Sequence, residues 1–349
     1  MHQDIIKFWK YSPVKKPKYK GKFCYKPFEV IQIDGDGDVQ LCTCAIHMPY
    51  TLGNIYQDTL QDIWLSEGAN RVRQAVADED FTYCSWSCDF LHTLPNRPAV
   101  LPVVQDFPKT IKLNMDLSCN LKCPSCREGI IIEKNSTKID KQIELYNQII
   151  QWGMDDPTKI LKIIPMGSGE IFASHSGLAF LKLLKDYPYN NIKLDITTNG
   201  TLIYRNRELL TSIRHLINSF SISIDASTPE TYAVVRGGDW NELLLGLEFI
   251  KNTITKNLTF RFCIQKNNYH EIESFADFTS QYNAAIVYQK LLDWGHWDIA
   301  WWHDNNVLDR SRDTFNLTLD SIQRVKLKYP KLGFAAEISK YLEQRKKSP

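Results

Sequence analysis

The chain has 349 residues, enough for one large core or for a large and a small one. Its 42 basic and 40 acidic residues nearly cancel to a formal charge of +2, so neither nucleic acid nor an anionic membrane surface is an expected partner. No apolar run reaches the length of a membrane span and the N-terminus lacks the apolar segment of a secretory signal, so a cytoplasmic protein is expected. In that compartment nine cysteines point to metal or catalysis rather than to disulfides.

Residues 1–22 form a basic arm (Lys15, Lys16, Lys18, Lys20, Lys22), read as solvated. From Cys24 the pattern tightens. Val30, Ile31 and Ile33, then Val39 and Leu41, alternate around a Gly/Asp turn and predict a hairpin. Asp34, Asp36 and Asp38 imitate the opening of a calcium loop. Val39 stands where that loop needs glycine, and Ala45 where it needs a bidentate glutamate, so calcium is excluded. Leu60, Ile63 and Trp64 mark a short amphipathic helix, and Cys84 and Cys88 close the block. Its thiols (Cys24, Cys42, Cys44, Cys84, Cys88) suit zinc and an iron–sulfur cluster equally well. Residues 92–109 carry four prolines without periodicity and read as a linker.

From 110 onward strands and helices alternate, the pattern of parallel βαβ units. Strands are expected near 110–117, 160–167, 192–198, 218–225, 257–265 and 285–292, and helices near 139–153, 174–187, 203–215, 239–254 and 270–282. Polar residues alternate with apolar ones along the strands: Lys193, Asp195 and Thr197; Ser221, Ser223 and Asp225; Arg261, Cys263 and Gln265. With a period of two, each strand turns one polar face toward an interior and one apolar face toward covering helices. Residues 293–349 hold Trp294, Trp297, Trp301 and Trp302 with His296 and His303, read as an apolar cap, and then an amphipathic helix over 317–346.

The stretch CNLKCPSC sets Cys119, Cys123 and Cys126 on one short loop after the first of these strands. Three thiolates can hold three corners of a cubane cluster and leave its fourth iron without a protein ligand, which is what binding and cleaving a small molecule requires. Zinc and disulfides are the alternatives. The elements that follow in order favour the cluster: Gly167, Ser168, Gly169 and Glu170 end the second strand, Thr197 and Asn199 the third, Ser223 and Asp225 the fourth, with Arg236 in the next loop.

On these motifs the chain resembles the radical S-adenosylmethionine (SAM) superfamily over residues 110–292, with a SPASM-like auxiliary iron–sulfur domain over 23–91. The resemblance implies an α/β fold, a partial (β/α)6 TIM-type barrel carrying a small N-terminal cluster domain. It implies a SAM-binding [4Fe–4S] cluster on Cys119, Cys123 and Cys126, and an auxiliary [4Fe–4S] cluster on Cys24, Cys42, Cys84 and Cys88, with Cys44 as a fifth candidate. Gly167 to Glu170, Thr197, Asn199, Ser223, Asp225 and Arg236 then fall at the SAM contacts. Two departures stand out: the cluster domain precedes the core rather than following it, and Ser125 replaces the aromatic residue usual before the third cysteine. The implied activity is reductive cleavage of SAM to a 5′-deoxyadenosyl radical, with a flavodoxin or ferredoxin as reductant. That radical abstracts hydrogen from a peptide or small-molecule substrate, giving oxidation or crosslinking when the auxiliary cluster accepts an electron. A thiol returning hydrogen gives epimerisation instead, and Cys263 is the candidate donor, its alternative role being a small core residue. A zinc-bearing binding protein on a degenerate barrel is the non-enzymatic alternative.

Overall fold

The computed structural model describes residues 19–43, 48–85, 88–114, 116–165, 167–255, 257–292, 297–329, 333–334, 338 and 341–342. Most of the basic arm, Cys44, Ala45, Trp294 and His296 therefore lie outside the described residues. The chain divides into two compact units: residues 1–117, 133–169 and 174–194 form the first, and 118–132, 170–173 and 195–349 the second.

In the first unit a single helical turn, α1 (Lys26–Glu29), leads into the hairpin β1 (Val30–Ile33) and β2 (Asp38–Gln40), which pair antiparallel with Gln32 opposite Gln40. The turn between them uses Gly37 at φ +82°, where a Cβ would stand 2.6 Å from the Tyr56 ring. β3 (Gly53–Asn54) adds to β2 and is followed by α2 (Leu60–Leu65) and α3 (Glu67–Ala77). The hydroxyls of Thr59 and Ser66 cap these two helices by accepting from Asp62 N and Ala69 N. The second helix was not expected from the sequence; its buried face is Ala69, Val72, Val76 and Ala77. On the other side β1 runs parallel to β4 (Thr110–Leu113), with Val30 opposite Thr110 and Ile33 opposite Leu113. β5 (Leu161–Ile164) continues the sheet in parallel after the long helix α4 (Ser136–Asp155), and the start of β6 (Ile192–Thr198) follows after α5 (His175–Leu183).

The second unit takes up the chain at the end of β6. It holds β7 (Ile217–Ser223) and β8 (Leu258–Ile264), with the short helices α6 (Arg207–Ser212) and α7 (Pro229–Val235) on either side of β7 and α8 (Trp240–Phe249) before β8. It continues through α9 (Ile272–Ser280), β9 (Ala285–Lys290), α10 (Ile299–Asn305), α11 (Asp313–Lys328) and β10 (Gly333–Phe334). β7, β8, β9 and β10 are hydrogen-bonded in that order and parallel. The sheet is thus largely parallel and not closed, with β3 the edge strand of the first unit and β10 that of the second.

The expected alternation holds. Along β8 Leu258, Phe260, Phe262 and Ile264 are buried while Thr259, Arg261 and Cys263 are half-buried, and β6 alternates in the same way. The apolar face of β8 packs on aromatic rings: Phe262 lies 4.7 Å from Phe275 and Phe260 lies 5.4 Å from Tyr282, ring centre to ring centre. Burying each such side chain contributes roughly 1.5–3 kcal/mol. The segment expected as one helix over 203–215 is a string of short turns around α6, and the terminal helix begins at Asp313 and ends at Lys328. Among the described residues no helix is long and apolar enough to cross a membrane.

Candidate active site

The first unit brings four of the N-terminal thiols to one cavity. Cys24, Cys42, Cys84 and Cys88 line it, together with Lys26, Pro27, Leu41, Met48, Phe90, Leu91 and Leu94. Local structure explains the convergence. Cys24 precedes α1 and Cys42 follows β2, while Cys88 N donates to Ser85 O at 3.1 Å in the turn that also carries Cys84. Phe23, Phe28, Val76, Phe81, Leu91 and Leu94 form the apolar packing behind these residues. Burial pushes the Cys24 thiol up to about 11, and the neighbouring thiols Cys42 and Cys88 push in the same direction. An apolar pocket walled by four thiols suits a bound cluster, whose irons would deprotonate them.

The second unit holds the loop that carries the other three. Cys119 and Cys123 are buried with Leu121, and Cys126 packs against them. Cys119 N donates to Ile131 O at 2.7 Å and Cys126 N to Cys123 O at 2.9 Å, which fixes the loop's curl. Asn199, just past the end of β6, ties the loop down: its Nδ2 donates to Asn120 Oδ1 at 2.9 Å and lies 3.9 Å from Cys119 Sγ. Thr201 completes the ring, donating to Asn199 Oδ1 at 2.7 Å and accepting from Asn120 Nδ2 at 2.9 Å. Burial raises both the Cys119 and the Cys123 thiols; Arg236 opposes the rise at each. Among the described residues no group of three His, Cys, Asp or Glu side chains is arranged to hold a single metal ion.

A polar network lies in the same unit. Glu170, 1% exposed, accepts from Asn199 N at 2.6 Å and from Thr198 Oγ1 at 2.8 and 2.9 Å. Its carboxyl is nonetheless raised, because burial outweighs these donors. Asp225 sits at φ +63°, a backbone conformation that costs a non-glycine residue about 1–3 kcal/mol. The surroundings hold it there: Asp225 Oδ2 takes Arg236 Nη1 at 3.1 Å, Oδ1 takes Cys263 N at 2.6 Å, and Asn268 Nδ2 donates to both Asp225 O and Cys263 O at 2.9 Å. Arg236 also reaches the cysteine loop through its backbone, its carbonyl lying 3.4 Å from Cys123 Sγ. Burial works against its charge, but Cys123 and Asp225 outweigh that and raise its pKa. The Cys263 thiol is raised by burial and by Asp225.

Of the residues singled out in the sequence, Glu170, Asn199, Asp225, Arg236 and Cys263 are thus linked to one another or to the cysteine loop. Thr197 and Ser223 are half-buried, and among the described residues their side chains take no hydrogen bond. Gly167, Ser168 and Gly169 belong to the first unit, where a Cβ at 167 would fall 1.8 Å from Asn114 Oδ1, so any larger residue must displace that side chain. Asn120, Thr201 and Asn268 were missed, although Asn120 directly follows Cys119. Trp297 was read only as part of a cap. Its Nε1 donates to Pro124 O at 2.9 Å, beside Ser125, and its ring stacks on Trp301 at 4.7 Å.

Residues 24–89 match SPASM, an iron–sulfur cluster-binding domain, and residues 115–279 match the radical SAM superfamily. The chain carries a radical SAM domain with a SPASM domain on its N-terminal side. It therefore uses SAM with a [4Fe–4S] cluster, and its SPASM domain takes iron–sulfur where zinc had been the alternative. Among individual proteins, the Probable GTP 3′,8-cyclase of Methanococcus aeolicus is 22% identical over 181 residues, or 51% of this chain and 58% of that protein. Streptococcus suis SuiB bound to its precursor peptide SuiA is 15% identical with a TM-score of 0.47, over 80% of this chain and 55% of that one. TYW1 with a lysine–pyruvate adduct is 15% identical with a TM-score of 0.38, over 63% of this chain and 72% of that one. The chain thus spans less than two thirds of the cyclase and of SuiB.

Proposed function

We propose that this chain is an enzyme that cleaves SAM reductively and uses the resulting radical to oxidise or crosslink a peptide or a small metabolite. When bound, the cluster and SAM supply a 5′-deoxyadenosyl radical, which abstracts a hydrogen atom. The protein's part is to hold, orient and exclude water. In this reading Cys119, Cys123 and Cys126 hold the cluster, and the carrying observation is that they pack together on one loop in the unit that also holds the buried polar network. Among the described residues Arg236 Nε is buried without a partner, and it suits the SAM carboxylate. Glu170, its acceptor oxygens fixed by Asn199 and Thr198, suits the ammonium group. Gly167 to Gly169, Thr197, Ser223 and Asp225 complete the contacts. Cys24, Cys42, Cys84 and Cys88 hold the auxiliary cluster, which accepts the electron left on the substrate. The domain division follows: cluster domain over 23–91, linker over 92–109, core over 110–292. A flavodoxin or ferredoxin is the reductant, in the cytoplasm, without nucleic acid.

A second reading, epimerisation, is favoured by one observation. Cys263 is a free thiol on the polar face of β8 whose pKa is raised, so it keeps the S–H bond that hydrogen-atom return needs. Electron paramagnetic resonance of the reduced protein tests the main proposal: two cluster signals are expected, of which SAM perturbs one. Removing Cys119, Cys123 and Cys126 together should abolish the SAM-sensitive signal alone, and loss of neither signal would contradict the ligand assignment.

A further inference from the structure

The polar face of β8 contains a charge that the reading above does not use. Arg261 lies between Ser221 of β7 and Gln289 of β9, and its head is held by neutral oxygens: Nε donates to Ser221 Oγ at 2.6 Å and Nη1 to Gln289 Oε1 at 3.4 Å. Among the described residues its side chain makes no ion pair. Asp225 acts on it electrostatically, but that carboxylate is already held by Arg236 and by Cys263 N. Burial pulls the Arg261 pKa below its ordinary value, the mark of a cation shielded from water without full compensation. A guanidinium stays charged under all ordinary conditions, so neutral acceptors alone leave most of its desolvation cost standing.

A second observation points the same way. Gln265 directly follows the last residue of β8; it is 2% exposed, and among the described residues its Nε2 is a donor without a partner. The end of β8 thus offers a planar cation with N–H groups to spare and, two residues beyond Cys263, a buried amide donor. Donors of this kind in a protein interior take oxyanions.

We propose that Arg261 and Gln265 form a subsite for an oxyanion of the substrate, a carboxylate or a phosphate, and so anchor it along β8 on either side of Cys263. This rests on the active-site reading above and narrows the substrate class to anionic molecules or anionic peptide side chains. Arg261 is a positioning residue: it holds a remote group while hydrogen is taken elsewhere on the substrate.

The test uses the full chain, anaerobically reconstituted, titrated calorimetrically with inorganic phosphate in one arm and acetate in the other. One of the two should bind, and which one does distinguishes phosphate from carboxylate. Arg261→Gln should weaken that binding about tenfold or more, Gln265→Leu less, and Arg261→Lys should recover part of the loss. Ser221→Ala removes a purely structural partner of Arg261 and should leave the anion bound. If neither probe binds the folded wild type, or if Arg261→Gln binds as wild type does, the subsite is wrong. That outcome is separate from failure of the active-site reading, which is judged by whether SAM is cleaved at all.

Discussion

Two groups of thiols in one chain have opposite surroundings. The four of the first unit face a cavity whose other walls are Pro27, Leu41, Met48, Phe90, Leu91 and Leu94, with Lys26 the one charged side chain. The three of the second unit sit in a web of polar side chains: Asn120, Asn199 and Thr201 tie their loop, and Arg236, paired to Asp225, lies against Cys123. On the ligand assignment proposed above, count and environment agree. A four-thiol set closes a cluster off from other ligands, and an apolar wall suits it to electron transfer. A three-thiol set leaves one iron open, and the polar web is what a charged small molecule needs around it.

The sharpest way to break this comparison is to remove one thiol from each group. Cys123→Ala should lower SAM cleavage by at least about 10³-fold while the auxiliary iron stays bound, because an iron lost from the three-thiol site removes the chemistry itself. Cys88→Ala should remove about as much iron, yet leave 5′-deoxyadenosine formation in the absence of substrate within a few-fold of wild type. Iron content and nucleoside yield, measured on the same samples, check both; equal loss of cleavage in the two variants would erase the distinction.

A next test concerns the polar web. Asp225→Asn keeps the shape but leaves the buried Arg236 without its counter-charge, a change that costs about 3–5 kcal/mol and is read as a fall in Tm. If Tm is unmoved, the pair is not the strut described above. Cys263→Ala is milder for stability, about 1 kcal/mol, but decides between products: under epimerisation it abolishes product while SAM cleavage continues. Because burial raises this thiol, it stays protonated well past the ordinary value of about 8.5, so thiol-dependent turnover should not decline between about pH 7 and 9. A fall centred near 8.5 would contradict that. The smallest expected effect is Trp297→Phe, which deletes the hydrogen bond to Pro124 O and should cost about 0.5–1.5 kcal/mol by chemical denaturation.

The cysteine loop and the strand order were legible in the sequence because their signals are local: fixed spacing for Cys119, Cys123 and Cys126, and a period of two along β6, β7 and β8. The four-thiol cavity was legible only through resemblance, since Cys24 and Cys88 meet across sixty-odd residues that no periodicity connects. Helix ends were less legible. The segment around α6 reads as one helix by apolar spacing, yet breaks into short turns that pack Leu210, Ile213 and Leu216 inward. What the sequence concealed entirely were contacts made by ordinary residues. Asn268 and Thr201 look like turn residues, and only the fold shows them bracing Asp225 and Asn199. The stacked Trp297 and Trp301 read as an apolar cap because nothing in their spacing announces an indole N–H directed at Pro124.

Reductive cleavage of SAM at the three-thiol loop is open to a direct measurement. Anaerobically reconstituted protein, reduced with dithionite and given SAM, should release 5′-deoxyadenosine and methionine in equal amounts, and Cys119→Ala should release none. Fully reconstituted wild-type protein that yields no 5′-deoxyadenosine would contradict the account.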